Sequence, residues 1–280
     1  MTKTLKTSSA IAAQGLHVSY GERKVLSGVD VAVPSGELTV IIGPNACGKS
    51  TLLKTLARVH QPSSGSIELE GRPLNQLSTR QIARDLALLP QNPHAPASVS
   101  VADVVALGRY PHQGLLGRLS ATDKRICQQA MEACGVTGLA DRKLQELSGG
   151  QRQRVWIAMT LAQDTPLILL DEPTTYLDIT HQLQVLDLAS QLHRSGRTLL
   201  LVLHDLNLAF RYATHLIMMK DGQIIASGRP TEIVTAENIE RVFGLQASIT
   251  TDPHSNTPLL VPFDTRVKAD AHDAPSQPTA

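Results

Sequence analysis

The sequence predicts an α/β fold with a mostly helical insertion. Two observations lead there. Short apolar runs of β type alternate with amphipathic helical stretches, which argues for a sheet flanked by helices. Between about residues 92 and 163 the strand signals stop, a loop rich in Pro, His and Ala leads into helical stretches, and β patterning resumes only at Leu167.

The β-type runs fall at residues 16–20, 38–42, 67–69, 167–170, 199–203, 216–219 and 224–226. Each is short, apolar and bounded by turn formers. The last two flank Asp221-Gly222 and read as a hairpin, because Asp-Gly suits a tight turn with positive φ. The clearest helical patterns cover 49–58 and 180–194, the second closing at Gly196 as a C-terminal cap. The first ten residues are small and polar, and 264–280 are rich in Asp, Ala, Pro and Thr without periodicity, so both ends read as loose tails. No internal repeat is apparent.

The 280 residues are enough for a sizeable core, and the composition, 42% hydrophobic and 18% charged, is that of an ordinary globular protein. A formal net charge of +1 and a pI near 7.8 provide no broad positive field, so a nucleic-acid partner is not expected. Cys47, Cys127 and Cys134 are too few and scattered for a disulfide framework or a zinc site, which fits a reducing, cytoplasmic setting. The N-terminus lacks the apolar core of a secretory signal, and no apolar run approaches the roughly 20 residues of a membrane span. Any link to a membrane is therefore expected to come through a partner. The histidines are dispersed without helical H-x-x-x-H spacing; His181 and His193 are expected merely to line a helix face.

Gly43-Pro44-Asn45-Ala46-Cys47-Gly48-Lys49-Ser50 matches G-x-x-x-x-G-K-[ST] and lies between a β run and a helical run. Such a loop wraps phosphates with backbone N–H groups, aided by the helix N-terminus; Lys49 adds a point charge and Ser50 a hydroxyl for magnesium. The run 167–170 ends in Asp171-Glu172, two carboxylates where a buried strand emerges, the edge at which open α/β sheets bind ligands. Asp171 is expected to hold the magnesium shell, and Glu172 to polarise the attacking water as general base. Leu147-Ser148-Gly149-Gly150-Gln151 opens another helical run and forms a second anion site of hydroxyl and N–H donors; the plainer reading of Ser148 is a helix N-cap.

The phosphate loop, LSGGQ, LILLDEP and the later strand-end His204, in this order, resemble the ATPase subunits of ABC transporters. The resemblance covers about residues 12–250 and implies a P-loop NTPase core with an antiparallel β subdomain and a helical subdomain at about 92–163. Residues 1–11 are left as a flexible tail and 251–280 as a largely flexible extension. It further implies that Tyr20 stacks on adenine and that the loop with Thr51 contacts the nucleotide. Gln91 would sense magnesium and the γ-phosphate, Asp178 link two sites, and His204 contact the γ-phosphate. Each has a plainer alternative: strand-edge aromatic, polar loop residue, N-cap of the 180–194 helix, and satisfied strand-end histidine. GPNACGKSTLL, ALGRYPH, EPTTYLDITHQ and LHDLNLAFRYATHLI are similar to the ATPases of bacterial iron–siderophore importers, most closely the ferric enterobactin type; vitamin B12 and haem importers share the architecture. Ala46 and Tyr176 depart from the wider family, which has Gly and a small residue there. Ala46 is expected to take an ordinary negative φ unless strained.

The resemblance implies a transport motor. Two copies close around two ATP molecules on the cytoplasmic face of the inner membrane and pull on two transmembrane permease subunits, served indirectly by a periplasmic or lipoprotein substrate-binding protein. Residues 92–116, with Arg109 and Tyr110, are expected to dock the permease, because they follow Gln91 where the insertion joins the core. An ABC-type ATPase acting on DNA or ribosomes would carry a coiled-coil insert or a tandem ATPase domain, which the sequence does not show. A non-catalytic regulator would lack Lys49 and Glu172, which are both present.

Overall fold

The computed structural model describes residues 8–114, 118–175 and 177–263. Its strands are β1 (Ser9–Tyr20), β2 (Arg23–Pro34), β3 (Leu38–Ile42), β4 (Ser64–Leu69), β5 (Arg72–Pro73), β6 (Leu86–Leu89), β7 (Leu167–Asp171), β8 (Thr198–Val202), β9 (His215–Lys220), β10 (Gln223–Gly228), β11 (Ala247–Thr251) and β12 (Pro258–Pro262). The helices are α1 (Lys49–Leu56), α2 (Thr79–Asp85), α3 (Val101–Leu107), α4 (Ala121–Ala133), α5 (Gly149–Ala162), α6 (Ile179–Arg194), α7 (Leu206–Tyr212), α8 (Pro230–Ile233) and α9 (Ala236–Phe243).

A six-stranded sheet in the order β10-β9-β3-β8-β7-β6 forms the centre, and β9, β3, β8, β7 and β6 run parallel. Every residue of β3, β7 and β8 is buried, as expected of strands covered on both faces. Ile41 and Leu200 face one core shared with the antiparallel sheet β2-β1-β4-β5, whereas Val40, Leu199 and Leu201 face a second core shared with the helices. Helix α1 lies between the two sheets, touching β1, β2 and β7. The Asp221-Gly222 turn is the expected hairpin, with φ of 48° and 73°.

Several boundaries differ from the sequence expectation. β1 begins at Ser9, within the expected tail, because Ala10 and Ile11 are buried and Ile11 pairs with both Val33 and Leu69. The expected flexible extension contains β12, whose Leu260 is fixed by two hydrogen bonds to the Asn207 side chain. The run 49–58 stops being helical at Leu56, and Arg58 turns to φ 57° to donate to the carbonyls of Leu74 and Leu77. Tyr176 lies outside the described residues.

In the insertion, α3 and α4 pack on α5. Gly108 allows the close approach, since a Cβ there would lie 2.1 Å from the Met159 carbonyl oxygen. Ser100, Ser120 and Ser148 cap α3, α4 and α5. The insertion is tied to the core beside α2: Arg80 and Arg84 both donate to the Pro111 carbonyl, at 2.9 and 3.1 Å, and the Gln163 amide donates to the carbonyls of Ala83 and Leu86.

Arg109 is not the exposed docking residue expected. It is 4% exposed, pairs with Asp123 at 2.8 Å and donates to the Ala162 carbonyl, so it braces the insertion internally; Tyr110, next in sequence, is 77% exposed. The Ser120 hydroxyl and the Arg109 guanidinium hold the Asp123 carboxyl down to about 2. A depressed carboxylate adds stability that is present above the ordinary range near pH 4 and is lost as pH falls through about 2. Arg109→Ala, which strands a buried carboxylate, should destabilise the protein by about 3–5 kcal/mol in urea unfolding at pH 7. Asp123→Asn should remove the part of the acid-induced loss between pH 4 and 2 that Asp123 supplies; unchanged unfolding in both variants would contradict the brace.

Candidate nucleotide site

The phosphate loop leaves β3 at Gly43 and enters α1 at Lys49. It is squeezed between neighbouring strands. A Cβ on Gly43 would lie 2.2 Å from the Met219 carbonyl oxygen, and one on Gly48, at φ 107°, would lie 2.9 Å from Leu26 Cδ2. Gly222 N–H donates to the Cys47 carbonyl at 3.0 Å, fixing the loop to the β9–β10 turn. Ala46 sits at φ 61°, in the left-handed region, contrary to the negative φ expected. The tight turn of the loop dictates that conformation, at a cost of about 1 kcal/mol for a residue with a Cβ. No side chain caps α1, so its first N–H groups are left for an anion.

Lys49 is buried and folds back over the loop, its ammonium donating to the carbonyls of Gly43 and Pro44 at 2.8 and 2.9 Å. Burial pushes the Cys47 thiol up, so it stands under the loop as a neutral, poorly nucleophilic group. Ser50 Oγ donates to Asp171 Oδ1 at 2.7 Å. Asp171 Oδ2 is buried without a hydrogen-bond partner, with Lys54 Nζ 3.9 Å away. Burial raises the Asp171 carboxyl above its ordinary value against the pull of Ser50 and Lys54.

Glu172 follows β7 directly and turns to φ 54°. Its carboxylate is the meeting point of two other strand ends. Gln91, just past β6, donates at 2.5 Å, and His204 Nε2, just past β8, lies at 2.6 Å; Thr175 Oγ1 adds a bond of 3.2 Å. A cleft of about 300 Å³ opens over the loop, walled by Glu172 and His204 on one side and by Tyr20, Arg23 and Val25 of the β1–β2 hairpin on the other. Asn45, Ala46 and Thr51 also line it.

The second Gly-rich segment lies elsewhere. Ser148, Gly149, Gly150 and Gln151 do not line this cleft. Ser148 Oγ accepts from Gln151 N–H at 3.3 Å, and Ser148 N–H donates to Gln151 Oε1 at 3.1 Å, so the plain capping reading holds for Ser148 within one chain. Gln153 joins α5 to the turn after Glu172 through the Pro173 carbonyl. Asp178 caps α6 and pairs with His181 Nδ1 at 2.7 Å, which makes His181 more than a helix-face residue.

A family model described as ABC transporter matches residues 26–175. The chain is 50% identical over 254 residues to the ferric enterobactin transport ATP-binding protein FepC of Escherichia coli, spanning 90% of this chain and 94% of that protein. The chain belongs to the ABC transporter family. It is also 45% identical over 257 residues to the iron(3+)-hydroxamate import ATP-binding protein FhuC of Bacillus subtilis, covering 91% of this chain and 96% of that one. A solved dimeric ATP-binding cassette in a post-hydrolysis state with ADP and Pi superposes with a TM-score of 0.69 at 26% identity, covering 78% of this chain and 98% of that chain. The protein is thus an ABC-type ATPase, and the P-loop fold with its antiparallel and helical subdomains is as expected.

For this ABC ATPase the structure brings together the whole phosphate loop, Asp171, Glu172, Gln91, His204 and Tyr20, and keeps Ser148–Gln151 and Asp178 apart from them. Sequence reasoning missed Arg23, Val25 and Thr175. The first two follow the Gly21 turn after Tyr20, at φ 58°, which folds β2 back along the same wall. Gly43→Ala should destabilise the protein by about 3 kcal/mol and abolish ATP binding, as measured by thermal unfolding and calorimetry, because the clash is with backbone. A normal melting temperature with normal ATP affinity would refute the loop's packing.

Proposed function

We propose that two copies of this chain bind ATP with magnesium head to tail, hydrolyse it, and drive two membrane-embedded permease subunits that import an iron–siderophore complex. The observation that carries the catalytic part is the convergence of Gln91 and His204 on Glu172 beside the Ser50–Asp171 pair. Two hard oxygen donors stand together there, and the unpaired, buried Oδ2 of Asp171 fits a magnesium ion. When bound, magnesium would neutralise charge on the β- and γ-phosphates. Ser50, Asp171 and Gln91 would hold it. The loop amides and Lys49 hold the phosphates, while Tyr20 takes the adenine.

Glu172 accepts a proton from the water whose oxygen attacks the γ-phosphorus as the bond to the bridging oxygen breaks. His204 fixes the carboxylate and contacts the γ-phosphate. Ser148, Gly149, Gly150 and Gln151 act on the ATP of the other copy, and Asp178 connects the two sites. That arrangement accounts for a donor-rich helix start that does not line its own chain's cleft.

The exposed pair Leu107 and Tyr110, at the joint latched by Arg80 and Arg84, supports residues 92–116 as the permease-facing surface; of these, 115–116 lie outside the described residues. No helix among the described residues is long and apolar enough to cross a membrane; the peripheral placement on the cytoplasmic face follows from the proposed permease partners. A substrate-binding protein outside the membrane delivers the cargo. The siderophore reading rests on relatives named for ferric enterobactin, hydroxamate and petrobactin import; a relative named for hemin import, 42% identical, makes haem the alternative cargo.

Lys49→Ala should abolish tight ATP binding, whereas Glu172→Gln should bind ATP normally and lose roughly two to four orders of magnitude in turnover. Normal hydrolysis by Glu172→Gln would remove Glu172 as general base. Deleting the protein should impair growth with a catecholate siderophore as sole iron source, and complementation with Tyr110→Asp should restore growth only partly while ATP affinity stays normal. Intact siderophore uptake with a defect in haem or cobalamin uptake would overturn the cargo.

A further inference from the structure

Tyr20 is 49% exposed at the tip of a hairpin, a position that leaves an aromatic ring free to change rotamer. One side chain restrains it. The rings of Tyr20 and His60 meet edge to face, with centroids 5.4 Å apart and planes at 87°. The backbone carrying His60 is itself fixed. Val59 and His60 N–H both donate to the Lys54 carbonyl at the end of α1, and Ser63 donates through N–H and Oγ to the carbonyl of His17, three residues before Tyr20. The segment that starts as the phosphate-binding helix thus ends stapled to β1, with an imidazole against the ring of Tyr20.

We propose that His60 is a positioning residue for adenine recognition: it holds the Tyr20 ring in its stacking orientation before nucleotide arrives. The inference rests on the reading that Tyr20 stacks on adenine. Perpendicular aromatic pairs are mutually attractive, and ordering a free side chain on binding weakens affinity. His60 therefore raises affinity for the base and leaves the phosphates untouched. It acts on binding uniformly, so its loss raises KM with little effect on kcat. The link through α1 gives it a second property. Both halves of the nucleotide are held from the two ends of one helix, so the distance between the base and phosphate subsites is set by that rigid element.

The test is calorimetric titration of the full chain with ATP and, separately, with inorganic tripolyphosphate, which lacks the base. His60→Ala should weaken ATP binding roughly three- to tenfold. Tyr20→Ala should weaken it at least as much, and tripolyphosphate affinity should be unchanged in both. His60→Phe should restore ATP affinity to within about twofold, because an aromatic edge suffices. In the Tyr20→Ala background, His60→Ala should add nothing further. If Tyr20→Ala leaves ATP affinity unchanged, the stacking reading fails and this inference with it. If Tyr20→Ala weakens ATP but His60→Ala does not, stacking stands and the role of His60 is overturned. Equal weakening of ATP and tripolyphosphate by His60→Ala, or additive losses in the double variant, would also overturn it.

Discussion

The parallel register of β3, β8, β7 and β6 is the constraint on which the rest of this protein depends. Ile41 stands opposite Val202, Val202 opposite Asp171, and Leu89 opposite Leu170. Ile41, Val202 and Asp171 thus share one row, Leu89 ends one row behind it, and the residues within two positions beyond these strand ends, Gly43, His204, Glu172 and Gln91, are brought to one edge. A slip of one residue in any of these pairings would also turn the buried faces of that strand inside out, so the packing of both cores enforces the alignment of the chemical groups.

Two strained backbone positions lie at that edge. Glu172 at φ 54° and Ala46 at φ 61° occupy conformations that residues with a Cβ avoid, and both lie in the wall of one cleft. Each is over-determined by its surroundings. Gln91, His204 and Thr175 grip the Glu172 carboxylate, and the loop around Ala46 is pinned through Cys47 to the β9–β10 turn. Conformational cost at these two positions is offset by contacts from elements that the sheet has already fixed.

Much of this was legible in the sequence. The limits of β3 are legible because four apolar residues and Thr39 run straight into a Gly-rich loop, and the Asp221-Gly222 hairpin because its turn chemistry is specific. β2 is harder to see in the sequence, because Gly28 and its neighbouring polar residues interrupt the run whose Leu26, Val29, Val31 and Val33 supply a buried face. β6 was hidden because it follows α2 without a break, its start marked only by the cap of the preceding helix. The residue types of the site were identifiable, but no sequence spacing could show that Gln91 and His204 grip the same carboxylate, because strands far apart in the chain carry them. The burial of Arg109 is hidden for a related reason: its partner Asp123 lies one helix away, and only the packed insertion reveals the pair as buried.

The separation of the phosphate loop from the Ser148–Gln151 segment is the observation behind the proposed second copy. The phosphate loop and the strand ends wall the cleft, while Ser148 and its glycines begin α5 elsewhere and do not line it; in the proposal the two belong to different copies. Mixed dimers of a Lys49→Ala chain and a Ser148→Arg chain, each also carrying Glu172→Gln to stop turnover, measure this directly. If each site joins the loop of one chain to Ser148 of the other, a mixed dimer keeps one intact site and traps one ATP, while either parent dimer traps little. Verified mixed dimers that trap no more ATP than the parents would contradict the composite site.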